Sequence, residues 1–138
     1  MASELAVEAG ALPAGQGREG ASRPVDLVHL SRYTLGEREL EREVLELFCT
    51  QSLNYIERLR GACSDKDWKE AAHSLKGSAS AIGAWRAAAA AASAEALSEG
   101  ALPQARTPHL REIECAVREA EAYIGGLLEE RRGEKSSA

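Results

Sequence analysis

Apolar side chains recur at intervals of three and four positions between Ser64 and Gly83, which is the spacing of one face of an α-helix. Ser64 is a favourable N-cap residue, and Gly83 is a favourable residue to end the helix. His73 projects from the side opposite the apolar face. The pattern therefore predicts a half-buried helix with an exposed histidine. Its predicted core residues are Trp68, Ala72, Leu75, Ala79 and Ile82.

The segments before this helix have helical patterns of their own. Residues 24–35 predict a short helix that starts near Pro24 or Asp26 and ends at Gly36. Residues 37–62 predict a long helix whose first turns are acidic, which suits the helix dipole. Its predicted buried stripe consists of Leu40, Val44, Leu47, Phe48 and Leu59, with Leu45 and Ile56 on the flank.

Two more helices are predicted after Gly83. Seven of the eight residues from Ala87 to Ala94 are alanine, so a helix here can approach a neighbour closely. Residues 101–106 predict a loop, and Thr107 and Pro108 are a favourable N-cap and first residue for a last helix. The apolar stripe of that helix is Leu110, Ile113, Val117, Ala120, Ile124, Leu127 and Leu128.

These elements predict an all-α protein, an antiparallel up-down-up-down four-helix bundle with a short additional N-terminal helix. The length of 138 residues suits one domain, which we place at 24–131. Residues 1–23 are rich in alanine and glycine without a periodic apolar face, and they predict a flexible tail. Residues 132–138 predict a flexible end.

Composition narrows the possible functions. The net charge of −5 argues against nucleic-acid binding. The three cysteines lack the spacing of a zinc site, so no metal site is expected, and reduced thiols fit a cytoplasmic protein. No stretch predicts a secretion signal or a membrane span.

The surroundings of His73 suit phosphoryl chemistry. Lys69 and Lys76 place positive charge one helical turn away, where they can stabilise an arriving anion. Gly77 is a poor helix residue, but its missing side chain leaves the imidazole uncovered. Ser80 adds a neutral donor. A neutral imidazole is a competent nucleophile near neutral pH.

The run His73-Ser74-Leu75-Lys76-Gly77-Ser78, followed by Gly83, resembles the HxLKGSS…G signature of histidine-containing phosphotransfer (HPt) domains. Ala79 replaces the second serine, at a position that the helical pattern assigns to the core. The resemblance implies that His73 is the phosphoryl acceptor, Lys76 the neighbouring charge and Gly77 the clearance position. It also implies that Glu95 accepts a hydrogen bond from Nδ1 of His73; the alternative is a solvated charge.

The resemblance further implies the partners: receiver domains of response regulators and a hybrid histidine kinase. The receiver is expected to hold Mg²⁺, so this chain needs no cofactor of its own, and it is expected to be a monomer. The docking residues expected around His73 are Lys69, Ser80, Ile82, Ala84, Leu30 and Tyr33.

Two other functions are considered. A self-sufficient histidine kinase is disfavoured because the sequence has no glycine-rich ATP-lid and no separate nucleotide-binding domain, so the chain is expected to be a phosphocarrier. A non-catalytic helical adaptor, in which His73 carries no phosphate, stays open as the alternative.

Overall fold

The computed structural model describes residues 23–137, where all regular structure is helical. The predicted tail therefore lies, apart from Arg23, outside the described residues. None of the described helices is both long and apolar enough to cross a bilayer. The helices are α1 (Leu27–Thr34), α2 (Arg38–Arg60), α3 (Asp65–Ala81), α4 (Trp85–Glu95) and α5 (Arg106–Ser137), with a 3₁₀ turn at Pro103–Ala105.

The four longer helices enclose one core. Helix α2 contacts α3 and α5, and α4 contacts the same two helices, so the contacts form a closed ring. Helix α1 packs against α2 at one end. The all-helical fold and the arrangement of the helices around one core agree with the sequence prediction.

Helix α1 is fixed at both ends by polar contacts. Asp26 caps its start by accepting the backbone N–H of His29 at 3.1 Å, and its other carboxylate oxygen accepts Trp85 Nε1–H at 3.0 Å. The helix ends where Leu35 and Gly36 adopt positive φ angles of 56° and 77°. At this end Thr34 donates to the buried Glu41 at 3.1 Å.

The buried face of helix α2 differs from the face that the sequence predicts. Leu40 and Leu47, predicted to be buried, are 39% and 53% exposed. The prediction was wrong because two polar residues, Glu41 and Ser52, take buried positions. Other helices satisfy Glu41, whereas the Ser52 hydroxyl donates to the carbonyl oxygen of Cys49 in α2 itself at 3.2 Å. Glu41 pairs with Arg131 of α5 at 2.9 Å as well as with Thr34. The buried residues of α2 are Glu41, Leu45, Phe48, Ser52, Ile56 and Leu59.

Helix α3 has the predicted buried face, and Ser64 caps it by accepting the N–H of Asp67 at 3.1 Å. It is followed by Gly83, whose φ of +76° favours glycine. A Cβ atom at Gly83 would lie 2.7 Å from Cβ of Asp26, so α1 crosses directly over this turn. Helix α4 begins two residues after Gly83 and packs against α3.

The alanine run allows the close helix approach that the sequence predicts, and the neighbour is α3. Five of its alanines are buried, and the buried indole of Trp68 donates to the carbonyl of Ala94 at 2.8 Å. Small side chains let two helix backbones approach closely. The C-terminal end of α4 is thereby held beside the first half of α3.

Helix α5 begins at Arg106, so Thr107 is not its N-cap as the sequence suggested. The preceding 3₁₀ turn leads directly into the helix, and Pro108 lies in the first turn, where a missing N–H does no harm. The guanidinium carbon of Arg106 lies 5.2 Å from the ring centre of Trp68, and its Nη2 atom lies 3.2 Å from Oδ1 of Asp65. These contacts join the starts of α3 and α5. The helix continues to Ser137, past the predicted domain end at 131.

Candidate functional site

His73 lies in the middle of α3 on its solvent side, and 68% of its side chain is exposed. The neighbouring positions Ala72 and Leu75 face the core. The helix is therefore anchored on one side and presents the imidazole on the other.

Glu95, the last residue of α4, lies directly beside this imidazole. Its Oε2 atom is 2.8 Å from Nδ1 of His73. A carboxylate can only accept, so the tautomer that satisfies this contact carries its proton on Nδ1. That tautomer leaves the lone pair on Nε2, the ring nitrogen on the other side.

Lys76 shares the same carboxylate. Its Nζ atom lies 2.9 Å from Oε1 of Glu95, so the two oxygens are divided between the lysine and the histidine. Partial burial tends to raise the pKa of Glu95, but the hydrogen bonds from Lys76 and His73 outweigh it and hold that pKa below its usual value. Glu95 is therefore ionised at neutral pH.

Gly77 faces open space. A Cβ atom built on it would meet nothing within 4 Å. No contact within the described residues therefore requires glycine here, although glycine weakens a helix. The missing side chain leaves the surface of α3 beside His73 uncovered.

An apolar cleft opens on one side of His73, between α1, α2 and α3. Tyr33 of α1 forms one wall, and Gly77 lies on the α3 side. Helix α2 contributes residues spaced by three and four positions, which places them on one face. The lining residues are Tyr33, Val44, Leu47, Phe48, Gln51, Tyr55, His73, Ser74, Gly77, Ser78, Ala81 and Ile82.

A second, polar cleft opens on the other side of His73. It is lined by Arg58 from α2, by residues of α3 and by Glu95. The guanidinium of Arg58 lies 5.9 Å from the ring centre of Tyr55, which borders the apolar cleft. The residues of α3 in this cleft are Lys69, Glu70, His73 and Ser74.

Three of the predicted docking residues are buried in the structure. Leu30, Ile82 and Ala84 are 0%, 1% and 1% exposed, because α1 packs over the turn between α3 and α4 and buries them. Ile82 contributes only to the floor of the apolar cleft. Tyr33 and Lys69 do line the clefts, whereas Ser80 is half-buried on α3 and lines neither.

Sequence reasoning missed the contribution of α2. Val44, Leu47, Gln51, Tyr55 and Arg58 follow helical spacing and border the two clefts. A signal for this face is present in the sequence, because Val44 and Leu47 lie on one helical stripe that continues to Tyr55 and Arg58. The sequence prediction places Val44 and Leu47 in the core, and an assignment to the core does not point to a cleft.

Among residues 23–137, no three histidine, cysteine, aspartate or glutamate side chains come together as a metal site would require. The site instead combines the His73 imidazole with two carboxylates, Glu70 and Glu95, and with the cations of Arg58, Lys69 and Lys76. This set can bind and transfer an anionic group through the imidazole.

The site and fold define a helical bundle that presents one carboxylate-bound histidine to solvent. Residues 43–130, more than half of the chain, match the family model of the Hpt domain. The chain therefore belongs to the Hpt domain family, whose members carry out histidine phosphotransfer in phosphorelays and interact with receiver domains and histidine kinases. No curated protein and no solved structure gives a significant match.

Proposed function

We propose that this protein accepts a phosphoryl group on Nε2 of His73 from the aspartyl phosphate of a receiver domain and passes it to a second receiver. The observation that carries the proposal is the contact between Nδ1 of His73 and Glu95, since it directs the free lone pair to Nε2. Family membership supplies the reaction class.

The atoms of the transfer balance without a group from a third molecule. The Nε2 lone pair forms a P–N bond while the P–O bond of the aspartyl phosphate breaks, and the receiver aspartate leaves as a carboxylate. The ring then carries positive charge, which the carboxylate of Glu95 stabilises through the Nδ1 proton. Transfer to the second receiver reverses these steps.

The clefts suit a transient protein partner. Exposed Leu47 and Tyr33 offer apolar contact beside His73, and Gly77 leaves room for the partner's reacting carboxylate. The receiver would supply Mg²⁺ and the acidic pocket. Contact should be modest in area, because a carrier must release both partners.

Several finer features belong to the same proposal. The short connections between successive helices favour an antiparallel up-down-up-down bundle. A monomer that works in the cytoplasm is consistent with the three unpaired cysteines, Cys49, Cys63 and Cys115. An upstream hybrid kinase would load the first receiver.

The test is phosphoryl transfer from a radiolabelled receiver domain to the wild type and to the His73→Gln variant. We expect acid-labile, alkali-stable label on the wild type and none on the variant. His109→Gln is the control for loss of an unrelated histidine and should retain full labelling. Phosphate flow that continues undiminished through His73→Gln, with receiver binding intact, would establish the adaptor function instead.

A further inference from the structure

Lys76, the first cation after His73 in the sequence, already has an anionic partner. Lys76 is paired with Glu95 at 2.9 Å, and that carboxylate also holds Nδ1 of the imidazole. Lys76 therefore balances the charge of Glu95. A phosphoryl group on Nε2 would bring two further negative charges, which need cations of their own.

The polar cleft contains two such cations. Arg58 and Lys69 both line the cleft that His73 borders. Among the described residues, Arg58 forms no ion pair, and Lys69 interacts only electrostatically with the carboxylate of Asp65, which lies one turn earlier on α3 and is itself paired with Arg106. By contrast, Arg42, Arg60, Arg86 and Arg106 are all paired with carboxylates.

Arg58 is also oriented before any ligand arrives. Its guanidinium lies over the ring of Tyr55 at 5.9 Å, which limits the conformations of a long side chain. It extends from α2, whereas His73 lies on α3, so the two residues approach the cleft from different helices. A guanidinium in this position can donate two parallel hydrogen bonds to phosphoryl oxygens.

The other charges in the cleft do not cancel this arrangement. Glu95 is paired with Lys76 and accepts a hydrogen bond from the imidazole, which leaves Glu70 as the remaining carboxylate among the described residues that line the cleft. The two cations thus outnumber it. Within residues 23–137, the titratable groups that line the opposite, apolar cleft are the phenols of Tyr33 and Tyr55 and His73 itself.

We propose that Arg58, assisted by Lys69, forms the binding site for the phosphoryl dianion carried on His73. The proposal rests on the phosphotransfer function proposed above and assigns the polar cleft to the phosphoryl group. The apolar cleft is left to the partner protein. Arg58 would touch the transferred group and would therefore belong to the catalytic machinery.

The test loads the full chain with phosphoramidate, a small donor that needs no partner, and follows the phosphohistidine by ³¹P NMR as a function of pH. We expect Arg58→Gln to move the phosphoryl titration to higher pH, because a nearby cation favours the dianion. Arg58→Lys should restore part of the difference. Arg111→Gln, which removes an exposed arginine on α5, is the matched control and should titrate like the wild type.

A second measurement distinguishes the two anions that Arg58 could bind, which are the phosphoryl group on His73 and an acidic side chain of the receiver. The equilibrium constant for transfer from a phosphorylated receiver should fall about threefold in Arg58→Gln, as expected for one partly solvated charge pair. An unchanged ³¹P titration, combined with weaker binding of the unphosphorylated receiver, would show that Arg58 recognises acidic side chains of the partner, and would overturn the proposal. If wild type itself acquires no phosphohistidine, the phosphotransfer function fails instead.

Discussion

The carboxylate of Glu95 lies 2.8 Å from Nδ1 of His73, although the two residues are 22 positions apart in the sequence. The contact depends on the turn at Gly83 and on the close packing of α4 against α3. It makes the C-terminal residue of one helix responsible for the tautomer of a residue in the middle of another.

Glu95→Ala should slow phosphoryl transfer to His73 about tenfold, because a hydrogen bond to a charged carboxylate is lost and the tautomer is no longer fixed. Single-turnover transfer kinetics measure this effect. Glu99→Ala, which removes an exposed carboxylate four positions further on, should leave the transfer rate unchanged. Equal rates for Glu95→Ala and wild type would remove Glu95 from the site.

Gly77→Ala should raise the free energy of unfolding by about 0.5–1 kcal/mol, because alanine is the better helix residue and its Cβ meets nothing within 4 Å. The larger Gly77→Leu should slow transfer from a receiver while the fold is retained. Gly125→Ala on α5 is the matched control, since its Cβ also meets no atom within 4 Å. It should stabilise the protein to a similar extent without affecting transfer. Undiminished transfer in Gly77→Leu would show that no partner approaches this position.

Gly83→Ala should destabilise the protein by about 2–4 kcal/mol, through a left-handed backbone and a Cβ contact of 2.7 Å with Asp26. Gly100→Ala isolates the backbone effect, because Gly100 has a φ of +81° but open space around it. That variant should lose only about 1–2 kcal/mol. Urea unfolding of both variants gives the difference. Equal losses of unfolding free energy in the two variants would mean that the backbone at Asp26 moves to accommodate the added Cβ atom at no further cost.

Leu47→Ala should weaken receiver binding about tenfold, since an exposed apolar residue of the cleft is removed. Leu53→Ala removes the same side chain from a position on α2 that is equally exposed but outside both clefts. It should bind like the wild type in calorimetric titration. Equal weakening by both substitutions would place the docking surface elsewhere on α2.

The contribution of Glu121 to stability should be more favourable in mild acid than at neutral pH. Burial raises its pKa, while a hydrogen bond from Ser52 and the charge of Arg118 oppose the rise. The folded state therefore holds a proton that the unfolded state has lost, and stability falls as pH rises from the unfolded pKa through the raised folded pKa. The fall is complete above the folded value.

Glu121→Gln should therefore stabilise the protein at pH 7 and have little effect at about pH 4, where Glu121 in the wild type is protonated. Unfolding free energies at the two pH values, with exposed Glu112→Gln as the control, measure this difference. A stabilisation equal at both values would exclude a titrating Glu121 as its cause.

The sequence predicted α3 and its exposed histidine correctly, because apolar and polar residues there separate cleanly onto two faces. It failed on α2, where Leu40 and Leu47 are apolar but exposed and Glu41 and Ser52 are polar but buried. The partner of Glu41, Arg131, is 90 positions distant, and helical periodicity carries no information about such contacts.

The same limit explains the buried docking residues. The sequence predicts Ile82 and Ala84 as docking residues at the edge of the His73 surface, but whether this edge is covered depends on a separate helix. Asp26 and Trp85, joined by a hydrogen bond at 3.0 Å, bring α1 across this edge. Neither residue belongs to a pattern that would reveal the contact in advance.

The length of the alanine-rich helix α4 determines where Glu95 lies relative to His73. Eleven residues, Trp85–Glu95, measure the distance from the turn that begins the helix to the carboxylate that ends it. One extra alanine would carry Glu95 about 1.5 Å along the helix axis and turn it by about 100°. This low-complexity stretch thus aligns Glu95 with His73, and its length matters more than the identity of any single alanine within it.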